Sequence, residues 1–177
     1  DFFVTYNREI VGQGDDSVLY VVNDRPFFIR RSRGYVPAPF LSRDTDRVIM
    51  AAGGDLKNSF AVARRSFVIM SQYLGDMADP LTYEVFERTV AHFIRVFDAD
   101  PEVIAADMHP GYLTRRYADG MAAEGRRLVA VQHHHAHVAS VMEEHGLDGP
   151  VIGIAFDGTG YGTDGTLWGS EFLVADR

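Results

Sequence analysis

Residues 47–70 have the sequence RVIMAAGGDLKNSFAVARRSFVIM, in which short apolar segments alternate with turn residues. RVIMAA predicts a buried strand that ends at Gly53-Gly54. SFAVAR and SFVIMSQ predict two further strands, joined by a tight connection at Arg64-Arg65. This part of the chain therefore predicts three consecutive strands, two of them in a hairpin.

Helices and strands alternate in the rest of the chain. Residues 81–97 carry apolar side chains at helical spacing, and Asp79-Pro80 is a suitable helix start. The elements predicted after this helix are a strand in PEVIAAD, a helix in GYLTRRYADGMAAEG, a strand in RRLVAVQ, a helix in HHHAHVASVMEEHG that Gly146 stops, a strand in PVIGIAF and a strand in WGSEFLVA. This order predicts an α/β layer fold with a partly parallel sheet. The three leading strands favour the actin, Hsp70 and sugar-kinase type of sheet over a plain Rossmann order.

The first forty residues have a different character. VLYVV (18–22) and PFFIR (26–30) predict two strands joined by the turn residues Asn23-Asp24. Gly34 and the two prolines that follow it predict a linker near residues 34–45. The chain begins in the middle of a pattern, with DFFVTYNREI, so we expect it to be a piece of a longer protein.

Composition excludes several classes of site. The 177 residues include no cysteine, so any metal site must use histidine and carboxylate ligands. A formal net charge of −8 argues against broad nucleic-acid binding. No apolar run is long enough to span a bilayer, and the N-terminus lacks the layout of a secretory signal.

The strongest functional signal is VQHHHAHVAS (131–140), which holds four of the seven histidines within five residues. His133 and His137 are four residues apart and share one face of the predicted helix. Neutral imidazole is a common ligand of zinc and iron, and a carboxylate would complete an open site. His134 and His135 point elsewhere, toward a substrate or as support for the ligands. The alternative is a set of surface or core histidines without a ligand.

A glycine-rich segment, DGTGYGTDG (157–165), follows the predicted strand PVIGIAF. Glycines such as Gly158 and Gly160 allow the backbone to approach a phosphate and present N–H groups to it. Asp157, at the end of that strand, is a candidate metal ligand. The alternative is an ordinary β-hairpin turn.

A second glycine segment, GGDLKNSFAVAR (53–64), joins two predicted strands. Gly53, Gly54, Lys57 and Asn58 are candidate contacts to a nucleotide or phosphate. Lys57 is the only lysine in the chain, which suggests a specific charge contact. The alternative is again a plain turn.

Two weaker signals complete the set. RPFFIRRSRG (25–34) contains four arginines, and Arg31, Ser32 and Arg33 are candidate phosphate contacts. The alternative is a charged edge strand. His109, in the turn HPGY after a predicted strand, is a candidate neighbour of the histidine site.

Together these segments resemble the HypF-type carbamoyltransferases of nickel–iron hydrogenase maturation. The resemblance is carried, in the family's order and over nearly the whole chain, by NREIVGQGDDSVLYVV with RRSRGYVPAPF, GGDLKNSFAVAR, DMHPGYLTRRYA and VQHHHAHVASVMEEHGLDGPVIGIAFDGTGYGTDGTLWGSEF. Few families combine such a histidine run with a following DGTGYG segment.

The resemblance implies an architecture and a site. Residues 1–40 would be the C-terminal part of a YrdC-like α+β domain, and 41–45 a linker. Residues 46–177 would be the first, actin/Hsp70-like (ASKHA) lobe of the carbamoyl-transfer domain, without its second lobe. His133, His137 and Asp157 would bind one divalent metal, zinc or iron. The resemblance identifies no catalytic residue.

The resemblance also implies a reaction. The family uses carbamoyl phosphate and ATP with Mg²⁺, forms carbamoyl-adenylate, and transfers the carbamoyl group to the C-terminal cysteine of HypE. The expected location is cytoplasmic, with neither nucleic acid nor membrane as a partner. The piece alone is expected to be inactive.

Three other functions remain open at this stage. An O-carbamoyltransferase would use a small-molecule hydroxyl as acceptor. A metabolite kinase of the actin fold would need a catalytic aspartate in its phosphate loop and no histidine run. A non-catalytic metal-binding module would bind metal without nucleotide.

Overall fold

The computed structural model describes residues 2–176, which form three helices and twelve strands. The strands are β1 (Val18–Val22), β2 (Arg25–Arg30), β3 (Phe40–Leu41), β4 (Ile49–Ala51), β5 (Ala61–Arg64), β6 (Phe67–Met70), β7 (Val103–Asp107), β8 (Arg127–Val131), β9 (Val151–Ala155), β10 (Gly160–Tyr161), β11 (Leu167–Trp168) and β12 (Glu171–Ala175). The helices are α1 (Pro80–Val96), α2 (Leu113–Ala123) and α3 (His133–Glu144). Every helix and strand named in the sequence prediction is present. Within residues 2–176, no helix combines the length and apolarity needed to cross a bilayer.

The main sheet has six strands in the order β3-β6-β5-β4-β7-β8. β5 and β6 form the predicted antiparallel hairpin, and β4 also pairs antiparallel with β5. β4, β7 and β8 are parallel, joined by helical crossovers. The predicted α/β fold with a partly parallel sheet is therefore confirmed.

The main core lies between this sheet and helices α1 and α2. It includes Met50 and Ile104 from the sheet and Phe86 and Phe93 from α1, all at most 5% exposed. Phe60 meets the rings of both phenylalanines edge to face, at centroid distances of 5.9 and 4.9 Å. Asp79 caps α1 by accepting a hydrogen bond from the Leu81 N–H, at the start that the sequence predicted.

The C-terminal part forms a second unit around α3. β9 and β12 pair with each other in a separate two-stranded sheet, against which Val138 and Met142 of α3 pack. Gly153 of β9 makes this possible, because an added Cβ there would overlap the Val138 side chain. The glycine-rich segment leads into the short hairpin β10-β11, in agreement with the hairpin turn given as the alternative for this segment. Sequence periodicity indicated neither the separate β9-β12 sheet nor the strands β10 and β11.

The N-terminal part contains the predicted hairpin. β1 and β2 pair antiparallel, and Asn23 and Asp24 both have positive φ, as a type I′ turn requires. The region 34–45 was expected to be an irregular linker, but Phe40 and Leu41 form the edge strand β3 of the main sheet. This region therefore contributes a strand to the main sheet.

Candidate metal centre

The topology of the main sheet brings Asp107 and His133 to the same end of the sheet. β7 and β8 are parallel and in register, with Asp107 opposite Val131. The C-terminal ends of both strands therefore lie side by side, and α3 begins there, two residues after β8. Gln132 caps α3, and its side-chain oxygen accepts a hydrogen bond from the His135 N–H at 2.8 Å. This cap fixes the first turn of α3 above the end of β7.

His133, His137 and Asp157 form a compact cluster. The Nε2 atom of His133 lies 2.8 Å from Oδ2 of Asp157, and Nε2 of His137 lies 3.4 Å from the same oxygen. The two Nε2 atoms are 3.3 Å apart. The structure thus brings together the three residues predicted as ligands, and they are the one group in residues 2–176 with the spacing of a metal site.

These distances suit a tetrahedral ion. Bonds of about 2.0–2.1 Å to zinc place neighbouring ligand atoms about 3.4 Å apart. Two of the three separations, 3.3 and 3.4 Å, are close to that value. Three protein ligands with an open fourth position are typical of catalytic zinc sites. The donor set therefore fits a zinc or iron ion, which would bind through the two Nε2 atoms and a carboxylate oxygen.

The Asp157 carboxyl is held in the charged form that a metal ligand needs. Burial alone would raise the pKa of Asp157, but the hydrogen bond from the Gly158 N–H and the nearby His133 and His137 rings lower it below its usual value. At neutral pH the carboxylate is therefore ionised before any ion binds.

The other two histidines of the run have different surroundings. His134 is fully buried, lies parallel to the Trp168 ring at a centroid distance of 6.4 Å, and contacts Gln132 through Nδ1 at 3.0 Å. A Cβ at Gly160 would lie 2.5 Å from the His134 ring. His134 thus anchors the β10-β11 hairpin to α3. His135 points away, with Nε2 at 2.8 Å from the Asp176 carbonyl oxygen.

The corner at residues 53–58 is shaped by a buried amide. Asn58 is 1% exposed, and its Nδ2 donates to the carbonyl oxygens of Ala52 and Gly54 at 3.0 and 2.7 Å. Gly53 has φ +70, and an added Cβ would overlap the Ser59 carbonyl oxygen. Lys57 is exposed on the turn with φ +51. The Asn58 side chain therefore stabilises the turn on which Lys57 is exposed.

An aromatic group lies between this corner and the metal cluster. Tyr112 is 4.0 Å from the Cβ position of Gly54 and stacks on His109 at 4.4 Å. His109 in turn meets Tyr161 edge to face at 5.3 Å. Burial raises the pKa of the Tyr112 phenol, and the Asp107, Asp55 and Asp157 carboxylates raise it further. Tyr112 therefore stays protonated at neutral pH and can donate a hydrogen bond.

The arginine segment lies apart from the cluster, beside the first hairpin. Arg33 pairs with Asp16, and the Arg31 guanidinium donates to the Ala38 carbonyl oxygen at 2.9 Å. Ser32 is fully buried, and its N–H donates to the Ser17 hydroxyl at 2.8 Å. Nη1 of Arg31 and Oγ of Ser32 are buried without a hydrogen-bond partner among the described atoms.

The sequence prediction missed three residues of this region: Asp107, Gln132 and Tyr112. Asp107 ends a predicted strand two residues before His109, and that strand-end position was the available signal. The Asp55 carboxylate accepts hydrogen bonds from the N–H groups of Leu113 and Thr114 at the start of α2. It therefore caps a helix.

Two family models that match this chain both describe domains of HypF carbamoyltransferases. Residues 44–144 match the family model for the HypF Kae1-like domain. Residues 153–177 match the model for the second subdomain of the carbamoyltransferase Kae1-like domain. The first of these matches covers more than half of the chain.

Curated relatives and solved structures agree with this match. Carbamoyltransferase HypF of Synechocystis sp. is 45% identical over 175 residues, 98% of this chain and 22% of the relative. The protein of the same name from Rhizobium leguminosarum bv. viciae is 44% identical over 178 residues, 100% of this chain and 23% of the relative. A full-length HypF in the phosphate- and nucleotide-bound form superimposes with a TM-score of 0.88 at 44% identity, over 96% of this chain and 22% of that one. HypF of T. kodakarensis gives a TM-score of 0.83 at 44% identity, over 92% and 21%.

The chain thus spans about a fifth of the length of the curated relatives it matches. The Kae1-like domain match and these superpositions support the predicted actin-like lobe.

Proposed function

The chain belongs to the HypF family of carbamoyltransferases, and we propose that it is the part of an ATP-dependent carbamoyltransferase that holds the metal centre for carbamoyl transfer. The observation that carries the proposal is the cluster of His133, His137 and Asp157 at the end of the sheet. The substrates in this proposal are carbamoyl phosphate and ATP with Mg²⁺, and the intermediate is carbamoyl-adenylate. The acceptor is the C-terminal cysteine of HypE, in the cytoplasm.

The residues of the site have separate tasks in this proposal. A bound zinc or iron ion would supply Lewis acidity toward the carbamoyl carbonyl or its phosphate. Asp157 and the two histidines fix the position of that charge. The corner at Gly53 and Gly54 and the backbone at Gly158 and Gly160 are the proposed contacts to phosphate oxygens. The Gly158 N–H already donates to the Asp157 carboxylate, so a phosphate there would compete with Asp157 for this donor. The Tyr112 phenol lies between them as a hydrogen-bond donor.

We also propose a division of the chain. Residues 1–40 are the end of a YrdC-like domain, in which the buried, unpartnered atoms of Arg31 and Ser32 support the predicted phosphate contacts, with Arg33 beside them. Residues 41–45 are the linker and the transfer domain starts at residue 46, with Phe40 and Leu41 added to its main sheet as the edge strand β3. The separate β9-β12 sheet and the match over 153–177 favour assigning the last segment to the second subdomain. The complete activity is proposed for the longer enzyme.

The test separates activation of carbamoyl phosphate from transfer. The full-length enzyme should exchange pyrophosphate into ATP only when carbamoyl phosphate is present, and should carbamoylate HypE. A His133→Ala variant should keep the exchange and lose the transfer, because the family resemblance assigns adenylate formation to the YrdC-like domain, whereas the proposed metal centre serves the transfer. Exchange that is independent of carbamoyl phosphate, or transfer that survives loss of His133, would contradict the proposal. Transfer to a small-molecule hydroxyl in place of HypE would contradict the proposal that HypE is the acceptor.

Lys57 gives a second test of the corner. Lys57→Ala is expected to weaken nucleotide binding about 10-fold or more, since a hydrogen bond to a charged group contributes about 1.5–3 kcal/mol. Lys57→Arg, which keeps the charge, should lose less. Metal content should be unchanged in both, because Lys57 is not among the cluster residues. Nucleotide titration calorimetry measures the effect, and unchanged affinity in Lys57→Ala would reduce the lysine to a turn residue.

A further inference from the structure

We propose that Asp107 is a positioning residue of the metal centre, which holds the His133 ring so that its Nε2 faces the ion. This inference rests on the proposed metal site. It concerns a carboxylate that the sequence motifs did not identify. The evidence is the short contact between Oδ2 of Asp107 and Nδ1 of His133, at 2.6 Å.

The Asp107 carboxylate is itself fixed. Its side chain is only 7% exposed. Its other oxygen, Oδ1, accepts a hydrogen bond from the His109 N–H at 2.8 Å. The carbonyl oxygen of the same residue accepts from the Arg115 guanidinium at 3.2 Å. A buried carboxylate with both oxygens engaged cannot turn freely, so it can hold a neighbouring ring in one orientation.

This contact determines which nitrogen of His133 is free for an ion. An imidazole that donates its Nδ1–H to a carboxylate keeps the lone pair on Nε2. In His133 that atom faces Asp157 at 2.8 Å and His137 at 3.3 Å. A carboxylate behind a metal-binding histidine raises the basicity of the ligand and fixes its tautomer. Asp107 has this position relative to His133, because its Oδ2 contacts Nδ1 of the ring on the side away from the cluster.

The two ligand histidines differ in how they are held. The His133 side chain is 19% exposed and lies between the Asp107 and Asp157 carboxylates, whereas the His137 side chain is 57% exposed. Because Asp107 ends β7 and is joined to the His109 turn, it ties the position of His133 to the main sheet. His133 is therefore the ligand whose placement depends on the sheet.

The test measures zinc affinity by chelator competition in the full chain. Asp107→Asn keeps the shape of the side chain but removes its charge, and we expect the zinc Kd to rise about 10- to 100-fold. Asp100→Asn is the matched control, because Asp100 pairs with Arg126 at the surface and lies outside the cluster and the contacts of Asp107. Its Kd should equal that of the wild type. An Asp107→Asn variant with wild-type zinc affinity would overturn the inference.

A second measurement needs no variant, so a folding defect in Asp107→Asn cannot obscure the result. Nitrogen-15 NMR of the zinc-loaded wild type should place the His133 ring proton on Nδ1. A proton on Nε2, with zinc on Nδ1, would overturn the inference even if the metal centre exists. A wild type that binds no zinc would instead refute the metal centre itself, and the role of Asp107 with it.

Discussion

The His133→Ala/His137→Ala double variant is expected to lose nearly all bound metal. A structural zinc site gains about 10–16 kcal/mol from four ligands, or about 3 kcal/mol for each, so removal of two ligands weakens binding by about 10⁴-fold or more. Asp157 would remain as a single carboxylate, 33% exposed, and cannot hold the ion alone. Elemental analysis of the purified protein measures the loss directly.

A matched control removes the same number of histidines elsewhere. His92 lies on α1 beside Arg95, and His145 is the C-cap of α3. The His92→Ala/His145→Ala variant should retain the metal content of the wild type. Equal metal in the wild type and in the His133→Ala/His137→Ala variant would contradict the proposed site.

Gly53→Ala is expected to produce the largest loss of stability among the glycine substitutions of the corner. Its φ of +70 is unfavourable for alanine, and the added Cβ would overlap the backbone oxygen of Ser59, which cannot move as a side chain can. Left-handed backbone costs about 1–2 kcal/mol. Overpacking adds about 1–3 kcal/mol. Together these terms predict a decrease of about 2–5 kcal/mol in the free energy of unfolding, measured by urea denaturation.

The neighbouring glycine provides the control. Gly54 has an ordinary φ, and its nearest atom to an added Cβ is on Tyr112 at 4.0 Å. Gly54→Ala should therefore change stability by less than about 1 kcal/mol, and a compatible backbone allows a small gain. If the two substitutions cost the same, the strained turn at Gly53 is not the origin of the effect.

Much of the main sheet could be predicted because local signals agree. The apolar runs of β4 and β5 are short and end at a glycine turn and an arginine turn, and β6 begins directly after the arginine turn. The helical spacing of α1 is long and starts at a capping aspartate. The spacing of His133 and His137 on one helix also depends only on local geometry, so the sequence predicts that they share a face.

The remaining parts depend on contacts between distant segments. The pairing of Asp107 with His133 joins residues 26 apart, and it follows from the register of β7 and β8, which the sequence does not state. The separation of β9 from the main sheet likewise depends on its pairing with β12. Local periodicity contains neither fact, since a strand looks the same whichever neighbour it pairs with.

The central claim is that His133, His137 and Asp157 bind one metal ion, and a crystal structure of the zinc-loaded protein tests it most directly. Anomalous diffraction at the zinc absorption edge locates the ion independently of the protein model. The account predicts one ion about 2.0–2.2 Å from Nε2 of His133, Nε2 of His137 and a carboxylate oxygen of Asp157. An anomalous peak bound elsewhere, or no peak at these three residues in zinc-loaded crystals, would contradict it.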